Sequence, residues 1–249
     1  MQQWKDIGWQ GDLLGTYSKV EAGTWRKEID FSSSSNQKII RRQMRSSSEI
    51  SDILFSIKIF ADKEKKKKNL IKYLQNFENL QLYSVQIIHT VGSIMPVNYI
   101  LPSVIKLLPK IALRFSLTRF QIKNKHIIQL LYNFNTALNL DFNFCILELT
   151  PKSPKIQAKT NLDTIRLLGC SDTVKPLTLS SPCLSFFLSL LCNSKISCSL
   201  SHLHIILCSA LPLNTRKANK LLTKYQLQSV QVMIRSYVTG QELTFGADS

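Results

Sequence analysis

Hydrophobic positions in residues 77–238 follow two alternating patterns. Short segments place leucine, isoleucine or valine at every second position, as in LSHLHIILCSA at 200–210, which is typical of a strand with one buried face. Between them, apolar residues recur every three or four positions, as in KHIIQLLYNF at 125–134, which is typical of an amphipathic helix. This alternation predicts an α/β fold in which parallel strands alternate with helices.

The predicted strands recur along the chain at nearly constant spacing. Their marker residues are Leu80, Leu113, Leu138, Ile165, Leu203 and Val230. Successive markers lie 33, 25, 27, 38 and 27 residues apart, and three of these five steps fall within the window of roughly 20–29 residues typical of leucine-rich repeats. The longest step contains the serine-rich segment 176–194, which we interpret as a helix with an insertion of about eleven residues.

A small polar residue or a cysteine follows several of the predicted strands. Asn143, Cys170 and Cys208 occupy one position of the pattern L-x-x-L-x-I-x-x-C-x-A, where the chain must turn inward. At such a turn an Asn side chain can bond backbone groups that would otherwise be buried unpaired, and a cysteine fits the same tight interior. Residues 77–238 resemble the ribonuclease-inhibitor-like leucine-rich-repeat family. The resemblance implies a solenoid of five or six irregular repeats that binds with its concave sheet.

The chain outside these repeats divides into three segments. Residues 1–50 scatter tryptophans among glycines, charges and serine runs, so we expect an extended or partly disordered arm, and the tryptophans favour an arm that becomes ordered against a partner. Residues 51–76 are expected to form a basic linker or helix, although SDILFSIKIF at 51–60 fits a first strand as well as a short helix. Residues 239–249 are expected to be a C-terminal tail.

The net charge of +16 and the pI near 9.7 favour an acidic partner. Residues 79–140 and 173–241 contain no acidic residue, although both segments carry several lysines and arginines. Such a surface either stays solvated or faces nucleic acid, an anionic membrane or an acidic protein. Charge alone does not choose among these partners.

Cysteine usage and the first residues predict an intracellular protein. All six cysteines lie between Cys145 and Cys208, and no secretory signal pattern opens the chain, so we expect reduced, mostly buried thiols. We expect a cytoplasmic or cytoskeletal location; a mitochondrial one stays open, although Asp6 and Asp12 argue against a cleavable presequence. The uncharged runs 176–194 and 196–215 approach membrane-spanning length, but their polar residues favour buried strands and helices, so a membrane is not the expected partner.

Candidate catalytic and metal-binding residues are few. Cys198, His202, His204 and Cys208 are close in sequence, but the spacing C-x3-H-x-H-x3-C is not a common zinc arrangement. From residue 78 onwards only seven acidic residues remain, which leaves little from which to build a general acid–base pair. We therefore expect no enzyme activity, no metal, no cofactor and no small-molecule substrate.

The predicted binding surface consists of strand residues that alternate with the buried positions. The residues selected from it are Tyr83, Arg114, Asn139, Arg166, Leu168, His204, Ile206 and Met233. The apolar residues in the later half of this stripe favour a protein partner over a phosphate backbone, unless an insertion or tail covers them.

The sequence thus predicts a non-catalytic structural or adaptor subunit of a large intracellular assembly, which binds other protein subunits. A ribosomal or other ribonucleoprotein subunit that contacts RNA through the acid-free surfaces is the alternative. The two differ in their response to salt, because phosphate binding weakens steeply with ionic strength and apolar docking does not. A small membrane protein is a third interpretation.

Overall fold

The computed structural model describes most of the chain after residue 81 and three strands before it. The described ranges are 17–21, 24–30, 53–60, 82–89, 94–134, 139–150, 159–160, 162–173, 175–191, 197–198, 202–207, 213–225 and 231–245. The strands are β1 (Tyr17–Glu21), β2 (Thr24–Asp30), β3 (Ile53–Phe60), β4 (Leu82–Ile88), β5 (Met95–Pro96), β6 (Ile111–Thr118), β7 (Phe120–Lys123), β8 (Asn139–Asn143), β9 (Ile146–Glu148), β10 (Lys159–Thr160), β11 (Thr164–Leu168), β12 (Ser171–Asp172), β13 (Lys175–Pro176), β14 (Ser197–Cys198), β15 (His202–Leu207), β16 (Gln231–Ser236) and β17 (Glu242–Phe245). The helices are α1 (Leu101–Leu107), α2 (Asn124–Asn133), α3 (Pro182–Leu191) and α4 (Thr215–Tyr225), with 3-10 turns at Val97–Tyr99 and Leu108–Lys110.

A sheet of ten strands, the main sheet, forms the framework of the described chain. Its strands lie in the order β1-β2-β3-β4-β6-β8-β11-β15-β16-β17, so each strand pairs with the next main-sheet strand along the chain. All pairs from β2 to β16 are parallel, while β1 and β17 pair antiparallel at the two ends. The predicted α/β class with a parallel sheet is confirmed.

The main sheet extends beyond the segment in which the sequence predicted repeats. β1 and β2 lie within the expected arm at 1–50, and β3 shows that the ambiguous segment 51–60 contains a strand. At the other end, β17 lies within the expected tail at 239–249 and pairs with β16. The rest of the predicted arm and linker lies outside the described residues.

Buried residues at equivalent positions of neighbouring strands form two ladders across the main sheet. The first ladder comprises Val85, Phe115, Leu140, Ile165, Leu203 and Val232, and the second comprises Ile87, Leu117, Phe142, Leu167, Ile205 and Ile234. Paired residues of the first ladder are separated by 30, 25, 25, 38 and 29 positions in the chain. The strands therefore recur at intervals close to those expected, including the long one.

The predicted markers agree with this register in part. Ile165 and Leu203 are paired, as predicted. Leu113 lies two residues before Phe115, which occupies the equivalent ladder position. A shift of two residues keeps the same face of a strand, so hydrophobic alternation alone does not detect it. The markers outside the described residues are Leu80, Leu138 and Val230.

Three main-sheet strands end in a turn of the same conformation. Arg119, Phe144 and Gly169 each follow a strand and have positive φ values of 64°, 51° and 57°. Their backbone N–H groups donate to carbonyls of the next main-sheet strand at 3.0, 2.7 and 3.0 Å. The left-handed conformation suits glycine but is unfavourable for other residues, so the repeated hydrogen bond helps to hold Arg119 and Phe144 in it.

Cys145 and Cys170 occupy equivalent positions directly after two of these turns, and both are buried. Each thiol donates to a backbone carbonyl of the preceding unit, at 3.3 Å for Cys145 and 3.2 Å for Cys170. The sequence grouped Asn143 with Cys170, and that grouping is wrong because Asn143 pairs with Leu168, before the turn. Cys208 lies outside the described residues.

The hydrophobic core lies between the main sheet, a second sheet and the helices. The second sheet follows the turns and has the strand order β13-β12-β9-β7-β5. Phe115 of β6 meets Phe134, directly after α2, with ring centroids 6.3 Å apart, and Phe142 of β8 meets Phe187 of α3 at 6.4 Å. The end of α2 and the helix α3 therefore cover the inner face of the main sheet with large aromatic side chains.

Local capping positions the helices that cover this core. His126 is buried in the first turn of α2 and its Nδ1 accepts the backbone N–H of Lys123 at 3.2 Å. Asn214 precedes α4, and its Oδ1 accepts the backbone N–H of Lys217 at 2.9 Å, as expected of an N-cap. Within the described part of the chain, no helix has the length and apolar character needed to cross a membrane.

Candidate functional site

The outer face of the main sheet, opposite the core, carries three rows of side chains across six neighbouring parallel strands. Row one comprises Ser84, Arg114, Asn139, Thr164, His202 and Gln231. Row two comprises Gln86, Ser116, Asp141, Arg166, His204 and Met233. Row three comprises Ile88, Thr118, Asn143, Leu168, Ile206 and Arg235. These residues alternate with the two buried ladders, so they lie on one face of the sheet.

The outer face contains seven of the eight residues selected from the sequence. Those placed on it are Arg114, Asn139, Arg166, Leu168, His204, Ile206 and Met233. Tyr83 lies at an irregular step of β4, where the register with β6 shifts between Leu82 and Ser84. Ser84 and Gln86 therefore occupy the row positions in β4, and the side chain of Tyr83 lies outside the described residues. Between these paired positions β6 has one residue more than β4, and the sequence pattern does not reveal such a change of register.

An ion pair crosses the first two rows. Arg114 Nε lies 3.1 Å from Asp141 Oδ2, with the Arg114 side chain partly exposed and that of Asp141 almost fully buried. Burial raises the pKa of Asp141 above its ordinary value, against the opposing influence of the positive charges on Arg114 and Arg166. Asp141 Oδ1 is also buried and has no hydrogen-bond partner among the described residues. This carboxylate therefore depends on the two arginines for compensation.

Removing Arg114 should destabilise the fold through Asp141. We expect Arg114→Ala to lower the free energy of unfolding by about 1–3 kcal/mol, because a buried charged group loses its partner. Arg114→Ala combined with Asp141→Asn should be less destabilised than the sum of the two single changes. Denaturant titration of the four proteins checks this expectation, and strictly additive effects would show that the pair contributes nothing.

Arg166 lies at the centre of the outer face. Its Cα pairs with Asp141 on one side and with His204 on the other. The Arg166 side chain is half-buried, and no ion pair or side-chain hydrogen bond involves it within the part of the chain that the structure describes. Burial lowers the pKa of His204, and the positive charges of Arg166 and His202 add to that effect. Among the described residues Arg166 therefore makes no close ion pair and acts on Asp141 only at longer range than Arg114 does.

A second polar contact lies beside His204. The rings of His202 and His204 are 6.0 Å apart and nearly perpendicular, so the two histidines share one face of β15. His202 Nδ1 lies 3.5 Å from Asp163 Oδ2, which also accepts the hydroxyl of Thr164 at 2.9 Å. Both histidines belong to this polar surface, and within the described residues no group of three or more metal-ligating side chains forms.

Apolar side chains border the polar cluster at the carboxyl end of the strands. Leu168 and Ile206 are paired neighbours in row three and are half-buried, as is Met233 in row two. Phe144 and Tyr237, each directly following a main-sheet strand, are 50% and 71% exposed. Because parallel strands end at the same edge, this edge presents more apolar surface than an isolated side chain would.

Sequence reasoning missed several residues of this surface. Asp141 stood in the alternating stripe but was not selected, although its buried carboxylate organises the polar cluster. Asn143 was assigned to the interior turn, whereas its Nδ2 donates to Ser116 Oγ at 2.8 Å on the outer face. Asn139, Asp141 and Asn143 occupy alternate positions of β8 and therefore share one face of the strand. This alternation is visible in the sequence and could have identified both residues.

The helical side of the molecule carries a different surface. Along α4, Arg216, Lys217 and Lys220 are exposed, whereas Ala218 and Leu222 are buried. Residues 173–241 contain no acidic residue, so no side chain in the same stretch of sequence neutralises this basic face. The chain therefore offers two distinct surfaces, a mixed polar and apolar sheet face and a basic helix face.

Comparison of the chain with protein-family models, with curated proteins and with solved structures gave no match.

Proposed function

We propose that the chain is a non-catalytic structural or adaptor subunit of a large intracellular assembly and binds protein partners with the outer face of its main sheet. In this proposal the sheet belongs to a leucine-rich-repeat solenoid. Support for the solenoid comes from parallel strands that follow one another in chain order, mostly 25–30 residues apart, and from the repeated turn at Arg119, Phe144 and Gly169.

The observation that carries the functional proposal is the composition of the outer face. Leu168, Ile206 and Met233 leave apolar surface accessible directly beside Arg166 and His204. Interfaces between proteins combine apolar centres with arginine, methionine and aromatic side chains, whereas they contain few lysines. A phosphate backbone would gain little here, because Arg114 is already paired with Asp141 and the row-three neighbours Leu168 and Ile206 are apolar.

RNA is the second candidate partner, and the basic face of α4 favours it. Three cationic side chains of α4 are exposed to solvent, those of Arg216, Lys217 and Lys220, and the surrounding segment 173–241 has no acidic residue. Contacts of this kind neutralise phosphates and release counterions, so they produce a steep dependence of affinity on salt. The two candidate functions therefore use different surfaces and can be separated by substitution.

The test compares two full-length variants that alter one surface each. Leu168→Ser with Ile206→Ser removes apolar surface from the outer face, and Arg216→Gln with Lys217→Gln and Lys220→Gln removes the basic face. Each tagged protein is purified from its native cells with and without ribonuclease, across salt from about 50 to about 500 mM. Equal unfolding midpoints would establish that each variant remains folded.

We expect the Leu168/Ile206 variant to recover its protein partners at least about tenfold less efficiently, because central apolar residues of an interface contribute about 2 kcal/mol or more. The α4 variant should recover them normally, and ribonuclease should have no effect. Loss of all partners after ribonuclease, or in the α4 variant alone, would instead assign the chain to a ribonucleoprotein.

A further inference from the structure

We propose that Arg166 anchors an extended segment of the partner protein that contains a carboxylate followed, two residues later, by an apolar side chain. The carboxylate binds the Arg166 guanidinium, and the apolar side chain packs on Leu168 and Ile206. This inference rests on the proposed function of the outer face and specifies the chemistry of its partner.

The charge around Arg166 favours a small anionic group on the partner. Arg166 has no ion-pair partner in the described part of the chain, and the protein as a whole carries a net charge of +16. The acidic residue paired with Arg166 in the neighbouring strand, Asp141, is already held by Arg114 at 3.1 Å. Asp141 also lies in the strand next to Arg166, so its negative charge opposes a polyanion more strongly than it opposes one carboxylate. A guanidinium and a single carboxylate can form two parallel hydrogen bonds.

The spacing along β11 selects an extended segment. Arg166 and Leu168 are two residues apart in the same strand and lie on the same face. Residues separated in this way lie about 6.6–6.8 Å apart along a strand, which is also the spacing of alternate side chains in an extended peptide. A segment aligned with the strand can therefore place a carboxylate over Arg166 and an apolar side chain over Leu168 at the same time.

The neighbouring strand enlarges the apolar part of the site. Ile206 of β15 pairs with Leu168 of β11, and both are half-buried. The two side chains form an apolar patch that spans two neighbouring strands, which lie roughly 4.8 Å apart.

The test uses a fluorescein-labelled peptide of three Glu-Ser-Leu-Ser units and the full-length protein, with binding followed by fluorescence polarisation. Two control peptides replace either every Glu by Gln or every Leu by Ser. We expect each control to bind at least about tenfold more weakly, a loss of about 1.4 kcal/mol or more, because it lacks either the charge-assisted hydrogen bonds or the apolar contact. Equal affinity for all three peptides, or no binding of the first, would overturn the proposal.

Protein variants locate the interaction at Arg166. Arg166→Gln should reduce affinity for the Glu peptide to that of the Gln peptide, and Arg166→Lys should recover only part of it because lysine cannot form the two-hydrogen-bond pair. Arg216→Gln is the matched control, since it removes the same charge from the exposed face of α4, which is not part of the outer face, and should change affinity less than about twofold. An equal loss in both variants would show nonspecific attraction and contradict the proposal.

The outcomes for this site and for the proposed function can be distinguished. If Arg166→Gln does not change the affinity for the peptide while the Leu168/Ile206 variant still loses its native partners, the adaptor function stands and the carboxylate anchor is wrong. If peptide binding requires Arg166 while the Leu168/Ile206 variant recovers its native partners normally, the site exists but the outer face is not the adaptor surface.

Discussion

Replacing Phe142 with alanine should lower the free energy of unfolding by about 3–5 kcal/mol, the range typical of a phenylalanine removed from a core. Phe142 is fully buried, pairs with Leu117 and Leu167 across the main sheet, and faces the ring of Phe187 at 6.4 Å. The cavity would therefore open where the sheet meets α3. Because natural domains are stable by only about 5–15 kcal/mol, this loss is a large fraction of the total.

Phe144 provides the matched control for this change. It lies two residues further along, is 50% exposed and adopts a positive φ of 51°. Phe144→Ala leaves the left-handed backbone in place and removes little buried surface, so stability should change by only about 0.5 kcal/mol. Denaturant titration measures both variants, and similar losses at the two positions would contradict the assignment of Phe142 to the core.

The thiols of Cys145 and Cys183 should resist alkylation in the folded protein. Burial raises the pKa of each thiol to about 12, and their Sγ atoms donate to backbone carbonyls at 3.3 Å and 2.9 Å. From an ordinary value of 9.0, such a rise lowers the thiolate fraction near neutral pH about a thousandfold, and the thiolate is the reactive form.

Site-resolved mass spectrometry after brief iodoacetamide treatment tests this protection. In denaturant, Cys145 and Cys183 should react at the rate of ordinary cysteines, whereas in the native protein their labelling should fall by at least about a hundredfold. Adding Phe142→Ala should restore part of the labelling, because opening of the core then becomes more frequent. Rapid labelling of Cys145 in the stable native protein would refute its placement in the interior.

The fold class could be predicted from the sequence because hydrophobic alternation and helical periodicity are local properties. Residues such as Ile165 and Leu203, with buried neighbours at alternate positions, mark both the strand and its inner face. Register is not local, which is why Leu113 was chosen where Phe115 belongs. The strands β1, β2 and β17 were missed for a related reason, since their pairing with the sheet depends on partners far from their own segments or across a turn.

The outer face could be predicted in outline but not in its interactions. The alternation of buried and exposed positions along each strand identified Arg114, Arg166 and His204. Side chains that alternate with buried residues of a strand lie on the opposite face of the sheet. This alternation does not reveal that Asp141 is nearly buried and paired with Arg114, because that contact joins residues 27 positions apart in the chain. The irregular step at Tyr83 likewise depends on how β4 meets β6.

The order of strands in the main sheet also determines how the chain would respond to tension. Every strand of this sheet pairs with strands adjacent to it in chain order, so a pull on the two termini would detach strands successively from the ends of the sheet. Between β4 and β16, each detachment would release the 25 to 38 residues that separate paired positions, or about 85–130 Å of extended chain. Under load the protein would lengthen in steps and would not fail in a single event.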